Sequence, residues 1–181
     1  MPRVPELDFN TLSAEQKRIH ELIRERVRGN SVRGPFAVLL NAPAVAEGAI
    51  NTYSAFRASK LERRLFELMI LVVARHTGAQ FEWFAHAPRS VEAGIEPATV
   101  DAIGNFRAPA LTRDDEKLIY DTVLELCRTQ RLSQASYDRA LAALGLERLV
   151  ELIAGAGFYT MIALTLNAFD VPVPGGERPL A

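Results

Sequence analysis

ERRLFELMILVVARHTGAQFEWFAHAPRSVEAGI, running from Glu62 to Ile95, is the stretch whose reading decides the fold. Nine of the ten residues from Leu65 to Ala74 are apolar, and the exception is Glu67. The run predicts a long helix from about Leu61 to His76, closed by Gly78. GAQFEWFAHAP then opens a second helix that ends at Gly94, another glycine suited to a helix C-terminus. The tight turn at Thr77-Gly78 makes the two helices antiparallel neighbours.

Upstream, SAEQKRIHELIRERVRG starts with a capping box, Ser13 with Gln16, and is expected to stop at Gly29. GPFAVLLNAP reads as a loop holding at most a helical turn, and Pro43 suits the first turn of a helix through AVAEGAINTYSAFRAS. Downstream, EPATVDAIG is a short helix begun by a proline and ended by Gly104. Thr112 with Asp115 is expected to cap RDDEKLIYDTVLELCRTQ, and SQASYDRALAALG and a final uncharged helix follow. No segment alternates like a strand, so the fold class is all-α. The expected organisation is an N-terminal helical extension over 1–33, a helical domain over 34–170 and an extended tail over 171–181.

The 181 residues are 49% hydrophobic and 24% charged, a globular mixture. Lys and Arg total 21 against 22 Asp and Glu, and the arginines of RIHELIRERVRGNSVR are interleaved with acids. Neither feature suits nucleic acid or an anionic membrane. The lone cysteine, Cys127, rules out an internal disulfide and a Cys-x-x-Cys motif. MPRVPELDFN has no apolar signal region, which points to the cytoplasm. Leu152 to Phe169 carries no charge, but its glycines and polar residues and its flanking acids mark a buried or interface helix, not a membrane span.

Chemistry concentrates in the opening stretch. Glu67 among apolar neighbours is expected to be partly buried, which raises a carboxyl pKa unless a partner compensates. Arg63, Arg64 and Arg75 are candidate partners, and a functional role is the other reading. Glu82 and His86 stand four residues apart on one helix face. They fit an acid–base pair, half of a metal site, or a half-buried ion pair. His20 and His76 add no ligand spacing, so neither a metal nor a cofactor is expected. Phe81 and Trp83 wall a substrate pocket or pack in the core. No serine elbow or glycine-rich phosphate loop is present.

Together these features resemble the carboxymuconolactone decarboxylase family, which includes the alkyl hydroperoxidase D-like proteins. The likeness rests on the acid in the first helix, Ala-Arg near its end, the Gly-Ala turn, aromatic-Glu-Trp, and a histidine four residues after that glutamate. It is strongest from Pro43 to Gly104, and GFYTMIALTLNAFDVPVP extends it. The resemblance implies an alkyl hydroperoxidase D-like helical bundle, a trimer or hexamer, acting on a small molecule. In the peroxidase branch a Cys-x-x-Cys precedes the histidine, and those cysteine positions fall here on Ala79 and Glu82. Thiol peroxidase chemistry is therefore disfavoured. The decarboxylase branch keeps Glu and His without the thiols. It implies a cofactor-free lyase for a carboxylated lactone or related acid, with His86 as acid–base, Glu82 as its orienting or proton-sharing partner and Glu67 as a second buried acid or relay. A non-catalytic ligand-binding oligomer is the remaining alternative.

Overall fold

A computed structural model describes residues 3–4, 7–27 and 31–180. Among these the chain is all-α, with no strand, as the sequence leads one to expect. Eight α-helices follow in order: α1 Ala14–Arg26, α2 Pro35–Leu39, α3 Pro43–Arg57, α4 Arg63–Thr77, α5 Gln80–Glu92, α6 Pro97–Gly104, α7 Asp114–Thr129 and α8 Gln134–Ala168. Short 3₁₀ turns lie at Phe9–Thr11 and Pro174–Gly176. Two compact units form, one from Met1–Ala58 with Thr165–Pro172, the other from Ser59–Leu164 with Val173–Ala181.

In the first unit α1 and α2 both pack on α3. The capping box forms as spaced: the Ser13 hydroxyl accepts from Gln16 N, and the Gln16 side chain accepts from Ser13 N. Ile19 and Ile23, four apart on α1, are fully buried, as is Ile50 of α3. α1 ends at Arg26; Gly29, the expected stop, lies outside the described residues. The stretch read as a loop holds a true helix, α2, started by Pro35 and anchored by Phe36 edge-on to Tyr53. α2 and α3 thus group with α1, not with the helices that follow residue 58.

The second unit is built around α4. Every residue from Arg64 to Arg75 is buried, because α5, α6 and α7 all pack on this helix. Gly78 closes it at φ 64°, a left-handed turn that lets α5 begin two residues later. Gly104 is the last helical residue of α6, not a left-handed cap. A β-carbon there would lie 2.9 Å from Trp83 Cζ2, so packing explains the glycine.

Two further expectations need correction. Thr112–Asp115 does not cap α7; the N-cap is Arg113, and Asp115 is engaged by Arg64, its Oδ2 2.6 Å from Arg64 Nη2. The last two expected helices run on as α8, broken only at Gly145, whose φ of 73° and ψ of 166° leave the helical region. The tail is held near its end, because Gln80 pairs with both backbone groups of Leu180, donating at 2.8 Å and accepting at 2.9 Å.

α8 is long and apolar enough to cross a membrane by length and composition, and 50% of its most apolar window is buried. Its carboxylate Glu151 accepts from the backbone N–H groups of Lys60 and Leu61 and from the Ser59 hydroxyl, tying α8 to the approach of α4. Gly155 lets the same helix approach closely, since a β-carbon there would meet Met69 Cε at 2.9 Å.

Candidate active site

α4 and α5 each contribute an acid–base group, and the turn at Gly78 brings them together. Glu67 Oε2 lies 2.7 Å from His86 Nδ1, with both side chains only 11% exposed. The contact fixes the tautomer. With Nδ1–H donating to Glu67, Nε2 keeps its lone pair, and no other hydrogen bond to the ring exists among the described residues. Burial holds the His86 pKa below its usual value, against the opposing pull of Glu67. The buried ring is thus held in its neutral form, with its basic nitrogen unused.

The arginines expected to neutralise Glu67 do not enclose it. Arg63 Nε stands 4.0 Å from Oε1 and is half exposed, while Arg64 serves Glu62, Asp115 and Glu116. Arg75 lies under the ring of Phe106, 3.5 Å from its centroid.

Glu82 departs from the expected arrangement. It shares the helix with His86 at the i, i+4 spacing, yet the imidazole turns to Glu67. Glu82 is 2% exposed, and neither carboxyl oxygen has a hydrogen-bond partner among the described residues. Burial raises its pKa well above the usual carboxylate value. Burial therefore favours the neutral carboxylic acid over the carboxylate, a donor with no acceptor among the described residues. Shared helical register does not guarantee contact, because the better acceptor for Nδ1 came from the neighbouring helix.

Tyr159 of α8 completes the surroundings, its ring edge-on to His86 at 5.4 Å and 85°. Nothing in the spacing of GFYTM marked it, since the contact is made across 73 residues of chain. Phe81 is partly buried. Trp83 floors a separate groove of about 490 Å³ with Ala87, Val91 and Pro97, whose lining includes none of Glu67, Glu82 or His86. No group of three potential metal ligands clusters among the described residues.

Glu82 and His86 give opposite pH dependences of stability. Glu82 has a raised folded pKa, so its contribution is whole below pH 4.5 and is lost as pH rises toward the folded value. His86 has a depressed one, so its contribution is whole above pH 6.5 and is lost as pH falls. Just below pH 6.5 the two slopes oppose, each up to about 1.4 kcal/mol per pH unit. Glu82→Gln removes the falling slope. In denaturant titrations between about pH 5 and 7 its unfolding free energy should rise relative to the parent by up to about 1.4 kcal/mol per unit. Parallel curves would show that Glu82 ionises as easily folded as unfolded.

No protein-family model matches the sequence, and no curated protein does either. Among solved structures, an uncharacterized peroxidase-related protein from Silicibacter sp. TM1040 matches at 16% identity and a TM-score of 0.74, over 94% of this chain and 90% of that one. A second, described as an alkylhydroperoxidase AhpD core from Ralstonia eutropha JMP134, matches at 16% identity and a TM-score of 0.75, over 95% and 92%. The fold is that of the alkylhydroperoxidase AhpD core. On this AhpD-like frame, the positions at which the resemblance places thiols carry Ala79, fully buried, and the buried acid Glu82. The one thiol elsewhere, Cys127, is pushed up to about 11 by burial and stays protonated at neutral pH.

Proposed function

We propose that this chain is a cofactor-free acid–base enzyme, a carboxy-lyase acting on a small unsaturated lactone that bears a carboxylate. The observation that carries the reading is the buried Glu67–His86 pair, with a neutral imidazole whose Nε2 is unengaged. The bond between ring carbon and carboxylate breaks, its electron pair runs through the conjugated double bond to the lactone carbonyl oxygen, and carbon dioxide leaves. A proton then joins the ring at the carbon next to that carbonyl.

His86 carries that proton. Nε2 takes it from water, the hydroxide left behind combining with the released carbon dioxide as bicarbonate, and burial makes the imidazolium a ready donor. Glu67 holds the ring and stabilises its charged form. Glu82, kept neutral, donates a hydrogen bond to the developing oxyanion, as a protonated carboxyl in an apolar site is suited to do. On this reading Glu67 takes the orienting role first expected of Glu82. Self-association belongs to the same reading, and α8 offers exposed Val150, Met161 and Leu164 to it.

The peroxidase relationship of the two structural neighbours is theirs. Parent and Cys127→Ser should both release carbon dioxide from a carboxylated butenolide and neither should consume an alkyl hydroperoxide. Peroxide turnover lost in Cys127→Ser would overturn the assignment, as would carbon dioxide release no faster than in buffer.

A further inference from the structure

The groove over Trp83 is separate from the acid–base pair. Trp83, Ala87 and Val91 recur every four residues on α5, one position further round the helix than Glu82 and His86. α6 adds Pro97 and Val100, and the tail adds Arg178 and Pro179, all within the second unit. Gly104 also lines the groove, and a β-carbon there would stand 2.9 Å from Trp83 Cζ2, so its absence leaves an indole edge uncovered. A concave volume of about 490 Å³ is of the size that takes a small molecule.

The charged groups of the groove are unequal. Asp101 is already matched, by the Arg107 guanidinium and by the Asn105 amide, which donates at 3.0 Å. Arg178 is exposed and makes no hydrogen bond or ion pair with any described residue. Its backbone is tethered all the same, because Gln80 holds Leu180, two residues further on, by two hydrogen bonds, and Leu180 is buried. A guanidinium fork beside an apolar groove recognises a carboxylate carried on an apolar body. We propose that this groove is a second ligand site, taking a small arylalkyl monocarboxylate. The ring lies on the Trp83 edge, Val91 and the prolines, which suit a flat apolar face, and the carboxylate pairs with Arg178. A second carboxylate on the ligand would meet Asp101, so the site selects a monoacid. None of this depends on the lyase reading.

Trp83 is the sole tryptophan, so its fluorescence reports on this groove. Phenylbutyrate is the probe and phenylbutyramide its neutral control. In the parent the acid should change Trp83 emission saturably and bind roughly three- to thirtyfold more tightly than the amide. Arg178→Met should abolish that preference without weakening the amide, and Arg178→Lys should keep part of it. Gln80→Ala leaves every lining side chain in place but releases the tail, so it should reduce the preference as well. His86→Ala should bind both probes as the parent does. No saturable response to the acid, equal affinity for acid and amide, or a preference undiminished in Arg178→Met or Gln80→Ala overturns the proposal. Loss of binding in His86→Ala would put the probe at the acid–base pair and overturn it too. So would emission that follows protein concentration and ignores both probes, which would give the groove to a second copy of the chain.

Discussion

Alanine at His86 is expected to cut carbon dioxide release from the carboxylated butenolide by roughly 10²- to 10⁴-fold, the usual worth of a positioned acid–base group. Glutamine at Glu67 should cost nearly as much without removing a ring atom. Glu67 accepts from Nδ1–H at 2.7 Å, and this contact decides which nitrogen carries the proton. A glutamine side chain can turn its NH₂ group to Nδ1, which moves the ring proton to Nε2 and leaves no basic nitrogen for the substrate. The imidazolium also loses the carboxylate that stabilises it. Ring ¹⁵N chemical shifts should report the exchange of tautomers directly, a readout that loose packing alone would not produce. Glu67→Asp keeps the charge and should retain more activity than Glu67→Gln. Unchanged rates in both His86→Ala and Glu67→Gln would remove the pair from the chemistry.

How much of this was legible in the sequence depends on the range of each interaction. Local signals were reliable: the Ser13–Gln16 box, Gly78 at positive φ and Pro43 at a helix start all act within a few residues. The isolated Glu67 was equally visible, because one acid in an apolar run stands out whatever packs on it. The partner of His86 was not visible in the spacing, although the resemblance implied Glu67 as a relay. Spacing proposed Glu82, four residues away, whereas the structure supplies Glu67 from 19 residues upstream. Helical register tells which side chains share a face but not which neighbouring helix presents the better acceptor. The same limitation hid the edge of Tyr159 against the imidazole. It also hid the pairing of Gln80 with Leu180, made by two residues 100 positions apart. Asp115 shows the converse: the expected cap with Thr112 does not form, and its carboxylate instead accepts from the Glu116 N–H and from the buried Arg64 guanidinium.

That guanidinium supports the second large effect. Replacing Arg64 by leucine should destabilise the fold by about 3 kcal/mol, the lower end of what breaking a buried ion pair costs. Arg64 is 7% exposed and Glu116 5%, and Nη1 donates to Glu116 Oε1 at 2.6 Å. Nη2 meets Asp115 at the same distance, so one fork ties the start of α4 to the first turn of α7. Without it, Glu116 is a buried carboxylate facing leucine. Two features soften the loss: Arg113 remains 3.5 Å away, and the N-terminus of α7 favours negative charge. For a chain of this size the destabilisation is roughly 6–12 °C in Tm. Arg64→Leu combined with Glu116→Leu should recover most of it, since two apolar side chains in contact leave no orphaned charge. A double variant no more stable than Arg64→Leu would place the loss in packing instead. Glu67 lies one turn beyond Arg64 on α4, so the single variant should also loosen the Glu67–His86 contact. Activity should therefore fall in Arg64→Leu and return with stability in the double variant.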